Sequence, residues 1–106
     1  MRKKEITLYE IKREDGNWYR LSASLDGGCL YLEGQDFTAL AESMFGDEEH
    51  EYYYSFDAEN TRKLAALFRS DDLLAGLSAF FGGELRNIEF LRLCAENGIE
   101  YRGGPV

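Results

Sequence analysis

A chain of 106 residues with 44% hydrophobic and 14% aromatic content is long enough to bury one core and too short for two, so a single domain over residues 1–106 is expected. Its formal net charge of -8, from 20 acidic against 12 basic residues, argues against nucleic acid and against an anionic membrane surface, because both bind through basic patches that displace counterions. A basic protein partner fits that balance better.

Glu5 to Arg13 alternates as a first strand, and Asp15-Gly16 reads as a two-residue hairpin turn whose central positions need positive φ. Asn17 to Leu25 returns as a second strand. That turn pairs Arg13 with Trp18, Ile11 with Arg20, Tyr9 with Ser22, Leu8 with Ala23 and Ile6 with Leu25. Period-two alternation then places Ile6, Leu8, Tyr19, Leu21, Ala23 and Leu25 on an inward face, with Glu10 as its misfit. Thr7, Tyr9, Ile11, Trp18 and Arg20 fall on the opposite face. Asp26-Gly27-Gly28 makes the next turn, after which Leu30 and Leu32 face inward and Cys29, Tyr31 and Glu33 outward.

Asp36 reads as the N-cap of a short helix in which Phe37, Leu40, Ala41, Met44 and Phe45 recur at helical spacing, ended by Gly46. Asp47, Glu48, Glu49, His50 and Glu51 form an acidic loop. Tyr52 to Phe56 resumes alternation as a fourth strand, with Tyr52, Tyr54 and Phe56 inward and Tyr53 outward. From Asp57 the period lengthens to about 3.6 residues. Asp57 caps a helix that runs to about Arg69, with Leu64, Ala65, Leu67 and Phe68 on its apolar stripe. Ser70 or Asp71 opens a second, carrying Leu73, Leu74, Leu77, Phe80 and Phe81, and Gly82-Gly83 breaks it. Glu84 begins a third, with Leu85, Ile88, Leu91 and Ala95 on one stripe that Phe90, Leu93 and Cys94 widen. It ends at Asn97-Gly98-Ile99, where the glycine takes a left-handed conformation and the isoleucine packs back on the helix. Ile99-Glu100-Tyr101 has room for a short last strand, and residues 103–106 are expected to fray.

Strands first and helices later, without βαβ alternation, predict an α+β fold. The expected architecture is a four-stranded antiparallel meander sheet, with room for a short fifth C-terminal strand, one short inserted helix and three C-terminal helices packed on one face. No apolar run approaches the roughly 18 residues of a membrane span, and Met1-Arg2-Lys3-Lys4 leads straight into a strand pattern. Cys29 and Cys94 lie in different patterns, and two unpaired thiols suit a reducing compartment. A soluble, cytoplasmic protein is expected.

His50 stands alone among Glu48, Glu49 and Glu51, whereas a metal site draws several ligands from more than one rigid element. The glycine pairs sit at turns and not between a strand and a helix, as a phosphate-binding loop would. No spacing pairs a nucleophile with His50, the single imidazole. Neither enzyme chemistry nor a metal or cofactor is expected.

Two surfaces carry recognition chemistry instead. Tyr9, Trp18, Arg20, Tyr31 and Tyr53 share the sheet face away from the helices, an aromatic and arginine composition enriched at protein interfaces. Asp47, Glu48, Glu49 and Glu51 form an acidic surface that would steer a basic partner. Three alternatives stand beside this reading: aromatics that only pair across strands, a homodimer that buries the face, and a small enzyme or ligand binder with a pocket at Cys29 or His50.

Leu32-Glu33-Gly34-Gln35-Asp36, then Phe45-Gly46 before Glu51-Tyr52-Tyr53-Tyr54, then Asn97-Gly98-Ile99 with Tyr101 beyond, resembles a family of small acidic uncharacterised bacterial proteins. In size, charge and class the chain is also similar to the immunity proteins of bacterial toxin systems, which bind a cognate toxin and block it. That likeness implies a non-enzymatic protein-binding role and carries over no residue.

Overall fold

In the computed structural model, which describes residues 4–37, 49–69 and 71–105, the β-branched and aromatic runs form strands and the later 3.6-residue periodicity forms helices. Among these residues the order is β1 (Lys4–Lys12), β2 (Trp18–Asp26), β3 (Cys29–Phe37), β4 (Glu49–Phe56), α1 (Ala58–Phe68), α2 (Leu73–Phe81), α3 (Asn87–Glu96) and β5 (Arg102–Pro105). The strands lie in that same order in one antiparallel sheet, so the fold is α+β with a short fifth C-terminal strand. Leu21, Leu30, Leu32 and Phe56 of the sheet are buried in one core with Leu64 of α1, Leu77 and Phe81 of α2, and Phe90 and Cys94 of α3. Among the described residues no helix is long and apolar enough to cross a membrane.

The first hairpin departs from expectation. Gly16, at φ 90°, closes a three-residue loop in which its N–H donates to the Arg13 carbonyl at 3.1 Å and the Arg13 N–H donates to the Asn17 carbonyl at 2.8 Å. Lys12 therefore stands opposite Trp18, Glu10 opposite Arg20 and Tyr9 opposite Leu21. A bulge between Thr7 and Tyr9 then shifts the register, so that Ile6 meets Ala23 and both Leu8 and Tyr9 are buried. Tyr9 and Ile11 consequently belong to the inward face, not the outward one. Glu10 ceases to be a misfit, since it now points outward.

The second hairpin is as expected, with Gly27 and Gly28 at φ 60° and 81° between the paired Asp26 and Cys29. Asp36, however, is a strand residue opposite His50, and not a helix cap. Glu49, His50 and Glu51 are likewise strand positions instead of loop, opposite Phe37, Asp36 and Gln35. The remainder of the expected short helix, with Asp47 and Glu48, lies outside the described residues.

Gly34 explains why the strand continues. The Tyr52 ring, one strand over, occupies the place where a Cβ on residue 34 would stand, and it crosses β3 to bring its hydroxyl within 3.3 Å of the Tyr9 hydroxyl on β1. With strands spaced by roughly 4.8 Å, β1 and β4 stand three spacings apart across Leu21 and Gly34, and the bare position at Gly34 lets the Tyr52 ring lie over β3 toward Tyr9. Tyr54 lies in the same way over Gly103 of β5. Residues 103–105 are thus paired strand and do not fray, and β5 begins beyond the Ile99–Tyr101 segment expected to form it.

α1 starts where the sequence places it. The Asp57 carboxylate accepts from the Asn60 backbone N–H at 2.8 Å and from the Asn60 side-chain amide at 2.9 Å, and Asn60 in turn accepts from the Glu100 N–H at 2.8 Å. Thr61 on the same helix accepts from the Leu30 N–H at 3.0 Å and donates to the Phe56 carbonyl at 3.3 Å, joining β3 to the end of β4. The backbone bond from Asn60, then its side-chain bond, holds the Asp57 carboxyl below its ordinary value. A carboxyl depressed in the folded state stabilises above its unfolded value and loses that contribution as pH falls through the folded one. Asp57→Asn keeps an acceptor without a titrating group, so the melting-temperature gap between wild type and this variant should shrink from about pH 7 to about pH 3. A gap that does not change with pH would remove the assignment.

α2 opens one residue later than expected, on Asp72, whose side chain accepts from the Ala75 N–H. α3 opens at Asn87 instead of Glu84, because Arg86 is tied back to α2: its Nη1 donates to the Phe80 carbonyl at 2.7 Å and its guanidinium stands 4.4 Å from the Phe80 ring centre. Leu85 and Ile88, expected on the buried stripe, are exposed, Ile88 at 72%. The end of α3 is as expected: Gly98 at φ 64°, with buried Ile99 donating its N–H to the Cys94 carbonyl at 2.9 Å.

Candidate functional site

On the face away from the helices, three rows of side chains cross β2, β3 and β4. Tyr31 stands between Ser24 and Ser55, Glu33 between Ser22 and Tyr53, and Gln35 between Arg20 and Glu51. Serine is short, so the tyrosines and Glu33 rise above a low floor. From these rows Arg20, Ser22, Tyr31, Glu33, Gln35, Glu51 and Tyr53, together with Glu5 of β1, line an open groove of about 540 Å³. Tyr31 and Tyr53 are 38% and 41% exposed, large values for aromatic side chains flanked by neighbours on both sides. Gln35 donates to the Glu51 carboxylate at 3.4 Å, and the Ser22 hydroxyl donates to the Glu33 carbonyl at 3.4 Å, which leaves the Glu33 carboxylate uninvolved in that bond. Glu5, Glu33 and Glu51 outnumber Arg20 in the groove, so its field is negative. A second groove of about 430 Å³ shares Tyr31 and runs over Cys29, Ser55, Asp57 and Arg102.

Of the residues expected to bind a partner, the structure gathers Arg20, Tyr31, Tyr53 and Glu51 in one groove. Trp18 is on the same face but outside it, in the row of Lys12 and Phe37, half-buried and with its indole Nε1 shielded. Tyr9 is on the opposite side of the sheet. Glu49 is a strand position opposite Phe37, and Asp47 and Glu48 lie outside the described residues. Gln35 escaped the sequence reading because a helix cap at Asp36 would have cut β3 short, and Ser22 because a short hydroxyl side chain on a strand carries no recognition signal of its own.

Tyr9 instead joins a polar network on the inward face. Its hydroxyl donates to Asn87 Oδ1 at 2.9 Å, and Asn87 Nδ2 donates to the Tyr52 hydroxyl at 2.8 Å, so the first turn of α3 is fastened to β1 and β4. Burial, and after it the hydrogen bond with Tyr52, raises the Tyr9 hydroxyl far above the ordinary tyrosine value; burial also raises Tyr52 and Tyr54. These phenols stay neutral at physiological pH, and those of Tyr9 and Tyr52 act as hydrogen-bonding struts. The signal that marked this network was Gly34, an isolated glycine within a strand, which calls for a close approach by something else.

Burial pushes the Cys94 thiol up to about 11, in keeping with a core residue and not a nucleophile. Among the described residues no group of three or more His, Cys, Asp or Glu side chains is placed to hold a metal ion. Compared with family models, with curated proteins and with solved structures, the chain finds no match in any of the three, so the outward groove is read from its own residues alone.

Proposed function

We propose that this chain is a non-enzymatic protein-binding module that engages a partner with a basic surface through the outward face of its sheet, in the manner of the immunity proteins it resembles in size, charge and class. The observation that carries this reading is the exposure of Tyr31 and Tyr53 side by side in a groove of negative field. A tyrosine offers a large amphipathic contact area and fixes few torsions on binding, which is why such residues dominate the energetics of interfaces. The surrounding carboxylates would accelerate encounter with a basic partner and orient it. Both tyrosines protrude from strands whose inward residues form the core, so the face is held rigid before a partner arrives.

Affinity capture from the native host with wild type and with Tyr31→Ala/Tyr53→Ala tests the reading. A partner held by wild type should bind the variant at least about thirtyfold more weakly, the effect of losing roughly 2 kcal/mol at an interface anchor. Identical partner lists for the two proteins, or no partner at all, would count against it.

A further inference from the structure

The same groove has a centre whose chemistry selects one side chain. Glu33 stands directly opposite Tyr53 across β3 and β4, and Tyr31 precedes it by two residues on the same face of β3. Strand geometry puts a side chain about 5 Å from its cross-strand neighbour and about 7 Å from the next residue on its own face. The carboxylate is therefore bracketed by two aromatic rings, with the short Ser22 on its other cross-strand side. Arg20, which also lines the groove, stands one row away, opposite Gln35 and diagonal to Glu33.

We propose that the notch formed by Tyr31, Glu33 and Tyr53 receives an arginine side chain of the partner, an inference that rests on the protein-binding reading. A guanidinium satisfies all three walls at once, lying flat on a tyrosine ring while its N–H fork meets the carboxylate. Lysine brings only a point charge and leaves the ring face unmatched. An acidic or purely apolar occupant is disfavoured by Glu5, Glu33 and Glu51. The chain itself contains the same kind of contact, in Arg86 over Phe80.

The test is an NMR titration of the full-length ¹⁵N-labelled protein with a tetra-arginine peptide, a tetra-lysine peptide and a tetra-citrulline peptide, which is neutral and nearly the same shape as the first. With tetra-arginine, the amide signals of Tyr31, Glu33 and Tyr53 should move together and saturate. Glu33→Gln should weaken that binding by about tenfold, the loss of a charge-assisted pair. Glu96→Gln, which removes an equal charge from the exposed end of α3, should leave it within about twofold. Tetra-lysine should bind several-fold more weakly and tetra-citrulline not at all.

Equal effects of Glu33→Gln and Glu96→Gln, or shifts scattered over the acidic surface, would overturn the proposal in favour of general charge attraction. Equal affinity for lysine and arginine peptides would overturn the choice of arginine. Loss of a captured partner on Tyr31→Ala/Tyr53→Ala without arginine binding at the notch removes the notch and leaves the protein-binding reading standing. Arginine binding at the notch with no captured partner would overturn the protein-binding reading, and with it the partner arginine, and leave only a guanidinium-binding notch.

Discussion

Phe90→Ala is expected to destabilise the protein by about 3–5 kcal/mol, measured as a fall in the urea midpoint at unchanged slope. The ring is 1% exposed, with centres 6.1 Å from Phe56, 6.1 Å from Phe80 and 5.6 Å from Phe81, so it links α3 to both the sheet and α2. Alanine removes its transfer free energy and leaves a cavity whose walls are rigid rings with little freedom to collapse. Against a total of about 5–15 kcal/mol for a domain, that loss takes roughly a fifth or more of the stability. Ile88→Ala, two residues earlier on the same helix and exposed, should change it by less than about 0.5 kcal/mol. Similar losses at the two positions would mean that α3 is not anchored through Phe90.

Gly34→Ala should destabilise by about 3 kcal/mol although it adds one methyl group. Gly34 is not at positive φ, so the backbone accepts alanine without strain, and the penalty comes from crowding alone. The Tyr52 ring fills the position of the new methyl group, and moving it withdraws the hydroxyl to which Asn87 donates and beside which the Tyr9 hydroxyl lies. Buried polar groups stripped of partners add about 1–3 kcal/mol of their own. The diagnostic is coupling: in a Tyr52→Leu background, Gly34→Ala should be milder by at least about 1 kcal/mol in a double-mutant cycle. Additive effects would show that the glycine is not there to admit the ring.

The features legible in the sequence were those set by local chemistry. Asp57 as a helix cap, Gly27-Gly28 as a tight turn and Asn97-Gly98-Ile99 as a helix end each depend on a few adjacent residues, and each stands as expected. The β1 register was not legible, because Asp15-Gly16 suits a three-residue loop as well as a two-residue one and the bulge at Leu8 answers to packing across the sheet. Asp36 misled for a related reason: an acid after a glycine reads as a helix start, whereas this glycine makes room for a ring from the next strand. Ile88 keeps helical spacing with Leu91, yet α3 turns the side that carries Phe90 and Cys94 into the core, which leaves Ile88 in solvent. Of the candidate site, Arg20, Tyr31 and Tyr53 followed from alternation. Tyr9 did not, since one bulged residue exchanges the two faces of its strand.

The bulge in β1 also bears on self-association. β1 is one margin of the sheet and β5 the other, and unpaired margins invite another strand to add through its backbone. On β1 the extra residue at Leu8 interrupts the ladder, between Lys4 and Glu5 on one side and Glu10 and Lys12 on the other. On β5 only four residues are presented, and the last, Pro105, has no N–H to donate. Neither margin is a good template for amyloid-like stacking or open-ended sheet growth. A chain this rich in tyrosine can therefore display aromatic rings on one sheet face while both margins of its hydrogen-bond network offer poor templates to its own copies.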